Sequence, residues 1–227
     1  MSDAPALNDT WVVIPLFNEA QVIGDVVAQV RKAFEQVVCV DDGSSDHSGN
    51  VAARAGAQVV RHPFNLGQGA ALQTGFDYAL SDPAMKYVIT FDADGQHQIA
   101  DAVGMVERLR AGEADVVFGS RFLDERSKPG LGKKLVLRAA VSYTNMTTHT
   151  RLTDAHNGLR AIRRPVLEQV RITQNRMAHA SELVAQIGDS KASYVEHPVH
   201  ILYSDYSKAK GQSLWNSINI LADLILR

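Results

Sequence analysis

The stretch WVVIPLFNEAQVIGDVVAQVRKAFEQVVCVDDGSSD (11–46) decides the fold class. It opens on a short apolar run, WVVIP (11–15), ended by proline. A helical pattern follows, in which Val22, Ile23, Val26, Val27, Val30 and Phe34 recur at the three- and four-residue spacing of one helix face. Asn18, with Gln21 three residues on, is expected to cap the start of that helix. VVCV (37–40) is a second short apolar run, and it stops at the polar turn DDGSSD (41–46). Such runs, alternating with helix-length periodic segments, read as buried parallel strands joined by crossover helices.

The alternation continues outward. The spacing predicts a helix over 51–55 stopped by Gly56, a strand over 58–61, a helix over 68–80, a strand over 87–91, a helix over 99–110 and a strand over 115–118. Crossovers of this kind are right-handed, and ligands lie at the carboxyl ends of the strands. After residue 120 the pattern loosens. A polar loop over 124–134 precedes a helix over 135–148, a strand over 159–162, a helix over 178–187 and a strand over 192–202. Leu214, Ile218, Leu221 and Ile225 form one helical stripe near the end of the chain. Packing on the core is the favoured reading of that stripe, because its polar face is not notably basic; a membrane-surface helix anchored by Trp215 is the other.

Composition bounds the function. The 227 residues are 45% hydrophobic and 21% charged, which is ordinary for a globular chain. A net charge of −2 gives no global attraction to nucleic acid. Cys39 is the single cysteine, so no internal disulfide forms. The first ten residues lack the features of a secretory signal, and no apolar stretch approaches the roughly 20 residues of a spanning helix. A cytoplasmic setting is expected.

Chemistry gathers where the predicted strands end. PLFNE (15–19) follows the first, DDGSSD the second, NLGQGA (65–70) the third, DADGQH (92–97) the fourth and GSR (119–121) the fifth. Residues two apart in extended backbone point to one side, so Asp92 and Asp94 would place two carboxylates together. Such a pair repels itself unless a cation lies between. With Gln96 it makes an all-oxygen set suited to Mg²⁺ or Mn²⁺. His97 adjoins that set as a supporting neighbour, and the histidine spacing is not that of a zinc site. One of Asp41 and Asp42 is expected to accept hydrogen bonds from a base or ribose. The glycines of Asn65-x-Gly67-x-Gly69 could cradle phosphate or simply make a tight turn; they form neither a Walker loop nor GxGxxG.

Taken together, VVIPLFNE, VDDGSSD, NLGQGAALQTGF, TFDADGQH, FGSR, TDAHNGLRA (153–161) and YSKAKGQS (206–213) resemble the family 2 glycosyltransferases of the GT-A fold. They are most similar to its dolichyl-phosphate mannosyltransferase and polyprenyl-phosphate glycosyltransferase branch. The resemblance covers about residues 11 to 213. It implies a mostly parallel α/β sheet flanked by helices, with a Rossmann-like first half. It implies one glycosyltransferase domain: a nucleotide-sugar half at about 10–120, an acceptor half at about 121–213 and a C-terminal helix at 214–227.

The resemblance also implies site residues. Pro15, Phe17, Glu19, Asp41 and Asp42 match nucleoside-binding positions, with Gly67 and Asp92 in the same nucleotide-sugar set. Asp92, Asp94 and Gln96 match the metal set, with Asp94 also catalytic. Arg121, Arg160, Lys208 and Lys210 fall where phosphates are held. Glu182 lies where relatives that use a hydroxyl acceptor keep a catalytic base, and Asp154 is a second acid on the acceptor side. The implied reaction inverts the anomeric centre without a covalent enzyme intermediate. Its partners are a nucleotide-diphosphate sugar (GDP-mannose or a UDP-hexose) and a lipid-phosphate or saccharide acceptor, the lipid being met at the inner face of the membrane through peripheral contact. A nucleotide-binding module without transferase activity is the competing class, and the intact metal set argues against it. A nicotinamide-dependent oxidoreductase is disfavoured because PLFNE, not a glycine fingerprint, follows the first strand.

Overall fold

The computed structural model describes residues 7–124, 141–142, 145–148 and 150–202. Seven strands form one sheet: β1 (Leu7–Leu16), β2 (Phe34–Asp41), β3 (Gln58–Arg61), β4 (Tyr87–Thr90), β5 (Val116–Ser120), β6 (Arg160–Arg163) and β7 (Tyr194–Pro198). The helices with described bounds are α1 (Ile23–Val30), α2 (Ser48–Arg54), α3 (Gln68–Leu80), α4 (Ile99–Arg110), the single turn α5 (Arg164–Leu167) and α6 (His179–Asp189).

The sheet order is β3-β2-β1-β4-β6-β5-β7. β1 pairs in parallel with both β2 and β4, and β2 with β3, so the first four strands make the expected doubly wound half. β6 then lies antiparallel between β4 and β5, and β7 adds in parallel to β5. One sheet therefore draws strands from both halves of the chain.

The apolar strands read as continuous runs because both faces are covered. Val12, Ile14 and Leu16 pack into one core with α1 and α4 residues such as Ile23, Val27 and Met105. Trp11 and Val13 face the opposite core, with Leu72 and Phe76 of α3 and Leu183 and Ile187 of α6. Val37 and Cys39 join the first core, and Val38 and Val40 the second, by the period-two alternation of a strand. Burial pushes the Cys39 thiol up to about 12, helped by the Asp41 charge, so it packs as an inert small hydrophobe.

The predicted strand 58–61 and helices 68–80 and 99–110 coincide with the observed elements. Helix α1 corrects the predicted cap. It starts at Ile23, and no side chain caps it. Asn18 instead adopts a left-handed φ of 53°, and its side-chain oxygen accepts the Ser45 N–H at 2.9 Å. Asparagine tolerates that conformation and bonds backbone locally, so its capping chemistry ties two loops together. The helix at α2 starts three residues earlier than predicted, and Gly56 ends it with a φ of 100°. The described residues within 135–148 are helical. Most of the 124–134 loop, Lys208, Lys210 and the 214–227 helix lie outside the described residues.

Candidate active site

β1, β2 and β4 run in parallel and end on the same side of the sheet, where a cleft of about 660 Å³ opens. Pro15, Leu16, Phe17 and Glu19 enter it from the end of β1, and Asp42 from just beyond β2. Asn65, Gly67, Gln68 and Ala71 come from the start of α3, and Asp92, Ala93 and Asp94 from the segment after β4. Arg176 and Met177 close the remaining wall.

Hydrogen bonds between strand-end loops shape this rim. Ser44 Oγ accepts the Asn18 N–H at 3.0 Å, and Ser48 Oγ accepts the Glu19 N–H at 2.8 Å. Asp46 accepts the Ala20 N–H at 3.0 Å. Ser44 and Asp46 of DDGSSD, with Ser48 just beyond it, thus orient the loop carrying Phe17 and Glu19. The opposite wall rests on α3. Gly67 has a φ of 107°, and a side chain there would run into the Asn175 backbone. Asn175 C=O accepts the Gly69 N–H at 2.8 Å, so the glycines admit the 174–177 segment against the helix start.

Asp92 and Asp94 differ sharply in environment. Asp92 is recessed, with 32% of its side chain exposed; His97 Nε2 lies 2.9 Å from Oδ2, and Gln68 Nε2 donates weakly to Oδ1 at 3.4 Å. Burial alone would raise the Asp92 pKa, but the His97 hydrogen bond and the charges of His97 and Arg160 hold it below the usual range. Asp94 is pushed up to about 6, first by burial and then by the neighbouring Asp92 charge, with Glu19 adding to it. Asp94 Oδ1 also accepts the Gln96 N–H at 3.0 Å. Among the described residues no cluster of three His, Cys, Asp or Glu side chains could hold a metal. The two carboxylates are hard oxygen donors that could hold Mg²⁺ or Mn²⁺ and would leave positions for water and phosphate oxygens.

Gly158 packs directly on Asp92. Its carbonyl accepts the Thr90 hydroxyl at 2.5 Å, and an added methyl would lie 2.8 Å from the Asp92 carboxyl carbon. Gly158→Ala is expected to displace that carboxylate and lower transfer about 100-fold, the scale of an ångström misplacement. A thermal melt and a turnover assay run together check this; wild-type turnover in a folded variant would refute it.

The remaining expected residues lie away from the cleft lining. Gln96 is buried, and its carbonyl accepts the Leu202 N–H. Asp41 borders a separate cavity of about 220 Å³ with Arg61 and His47. Arg121 holds Asp154 in a bidentate pair, Nε–Oδ2 at 2.6 Å and Nη2–Oδ1 at 2.8 Å. Asp154 is wholly buried; burial would raise its pKa, but Arg121 outweighs that and keeps it low. Arg160, 2% exposed, lies beneath the floor, where burial lowers its pKa to about 10 against the pull of Asp92 and Asp154. Glu182 accepts the Thr173 and Gln174 N–H groups (3.0 and 2.8 Å at Oε2) and the Thr173 hydroxyl at 2.5 Å, so it anchors the segment leading to Arg176. Arg176 and Met177 are the cleft residues that sequence reasoning missed, because QNRMAH (174–179) matches no motif. Buried His179, pushed down to about 4 by burial, fixes that segment through Nδ1–H to the Arg176 carbonyl at 2.7 Å.

The mixed seven-stranded sheet with an acidic cleft at its strand ends has the GT-A fold of known glycosyltransferases. The same fold occurs in glucosyl-3-phosphoglycerate synthase from Mycobacterium tuberculosis, crystallised with Mg²⁺ and uridine diphosphate, at TM-score 0.71 and 18% identity over 96% of this chain and 79% of that one. The chain belongs to glycosyl transferase family 2, whose sequence profile matches residues 11–171. An uncharacterised protein of Methanocaldococcus jannaschii, MJ1222, is 31% identical over 97% of this chain and 92% of its own length. The UDP-N-acetylglucosamine–dolichyl-phosphate N-acetylglucosaminyltransferase of Methanococcus voltae is 25% identical over 95% and 94%. The protein is an enzyme that transfers a sugar.

Proposed function

We propose that this enzyme is an inverting, metal-dependent glycosyltransferase that moves a sugar from a nucleotide-diphosphate donor, GDP-mannose or a UDP-hexose, to a polyprenyl or dolichyl phosphate. The observation that carries the reading is the Asp92–Asp94 pair in the cleft. A divalent cation held there would neutralise charge building on the leaving nucleoside diphosphate. Arg176, which lines the same cleft, would add a positive charge for the diphosphate. Pro15, Phe17 and Asp42 offer surfaces and an acceptor for the nucleoside, with Glu19 nearer the acidic pair.

The engagement of the acids supports a phosphate acceptor. A hydroxyl acceptor needs a carboxylate base within reach of its proton, worth about 10²–10⁴ in rate. Asp154 is locked to Arg121, and Glu182 already accepts several protein donors. A lipid phosphate is anionic and attacks unaided, which matches a cleft whose candidate bases are engaged. The M. voltae relative, named for a dolichyl-phosphate acceptor, supports the same choice. The lipid would be met through peripheral contact at the inner face; among the described residues no helix is long and apolar enough to cross a membrane.

The test is a panel of nucleotide sugars and acceptors with and without Mn²⁺. Metal-dependent stabilisation by one nucleotide sugar, with turnover onto a polyprenyl phosphate, is expected. Across that acceptor panel Glu182→Gln should retain transfer within about fivefold; a fall of about 100-fold or more on a saccharide acceptor, with the melting temperature and donor binding intact, would favour a hydroxyl acceptor.

A further inference from the structure

Asp42 borders the cleft but stands apart from the acidic pair, and its hydrogen bonds are unevenly divided. Oδ1 takes two: His62 Nδ1 at 2.7 Å and the Leu66 N–H at 2.9 Å. Oδ2 takes one, from the Gly67 N–H at 2.8 Å. The ring's other nitrogen, Nε2, lies 2.9 Å from Thr74 Oγ1 on α3. Both side chains are nearly buried, His62 8% and Asp42 4% exposed, so this arrangement is held from behind. A carboxylate only accepts, which assigns a proton to Nδ1, while Nε2 is held by the Thr74 hydroxyl.

Each carboxylate oxygen offers about two lone-pair sites. On Asp42 the pair on Oδ1 is filled and one site on Oδ2 remains. We infer that His62, locked by Thr74, is a specificity-determining residue: by occupying Oδ1 it makes Asp42 a single acceptor and selects a uracil-type donor base over guanine. Uracil presents one N–H between two carbonyls and needs one acceptor. Guanine presents two adjacent donors, N1–H and the 2-amino group, that suit both oxygens of a carboxylate. With Oδ1 taken, one of those donors goes unpaired on binding, a loss on the order of tenfold in affinity or more. The inference rests on the reading of Asp42 as a nucleoside contact.

The experiment is calorimetric titration of UDP and GDP, each with Mn²⁺, into the wild type and four variants. The wild type should bind UDP at least tenfold more tightly. His62→Leu, which frees Oδ1, should shrink that ratio about tenfold, chiefly by improving GDP. His62→Asn keeps a donor near the Nδ1 position and should restore most of the preference. Thr74→Val is nearly isosteric and should shift the ratio in the same direction as Leu, which keeps the test available if His62→Leu does not fold. Equal or tighter GDP binding by the wild type, or an unchanged ratio in His62→Leu and Thr74→Val, overturns the inference. Asp42→Asn separates the two levels. If it leaves both affinities unchanged, the nucleoside reading itself fails; if it weakens binding while the His62 and Thr74 variants keep the ratio, only the selectivity role fails.

Discussion

Asp94→Ala is expected to cut sugar transfer by about 10³-fold, the scale on which losing one preorganised stabiliser of developing charge is felt. Asp94 is half of the acidic pair, and its carboxyl is already pushed up to about 6 by burial and by Asp92. That position is tolerable for two reasons: the site is partly open, and a cation can relieve the repulsion. Removing Asp94 relieves the repulsion without the cation, so the fold should be unharmed or slightly more stable. Mn²⁺ binding should weaken in parallel with turnover. Three readouts check this: a melt, a metal titration and a transfer assay. Full activity in Asp94→Ala, or metal binding equal to wild type, would remove the basis of the proposed mechanism.

The second large effect concerns stability. Asp154→Ala leaves Arg121, 13% exposed, without its bidentate partner, and strips fully buried Arg160 of one of its two stabilising carboxylates. Breaking a buried pair by removing one member typically costs about 3–5 kcal/mol. In a chain of this size that is a fall in Tm of roughly 10 °C. The pH dependence has a definite sign. Arg121 holds the folded Asp154 carboxyl below its ordinary unfolded value of about 3.9, so its contribution is complete above that value and is lost as pH falls below it. The stability gap between wild type and Asp154→Ala should therefore narrow as pH drops from about 5 to about 3. Denaturant melts across that range measure it, and a gap independent of pH would show that the pair acts by packing alone.

These residues also show what a sequence discloses. The first half was legible because its elements are local: α3 is bounded by Gly67 and a clear periodicity, and each parallel strand is a short apolar run ending in polar residues. Asp92 and Asp94 both line the cleft, but from the turn that follows β4, which ends at Thr90, and not from the extended backbone on which their pairing is expected. Arg121 and Asp154 were each visible as candidates, but they are 33 positions apart, and nothing local says that they bind each other. Arg160 looked like a phosphate ligand from its motif; its position in the middle of the sheet, paired across β4 and β5, buries it. Glu182 looked like a base, and the Thr173–Gln174 backbone that it holds has no sequence mark. Asn18 carried the right residue type for a cap and used it across a loop instead. What stayed hidden is the pairing of side chains distant in sequence, since propensity and spacing carry no information about such pairs.

The antiparallel strand β6 has a consequence for how the chain is made. β5 is fully buried and apolar along most of its length, yet both of its neighbours, β6 and β7, are synthesised after it, at 160–163 and 194–198. As the nascent chain emerges, the donor-side strands β1 to β4 can assemble among themselves, while β5 has nothing to pair with for some forty residues of further elongation, about two to eight seconds at ordinary ribosome speeds. An unpaired apolar strand is a template for self-association. Completion of the sheet therefore waits on the carboxyl-terminal half: β6 must enter between β4 and β5, and β7, the last of the seven strands to be made, must then add to the far side of β5.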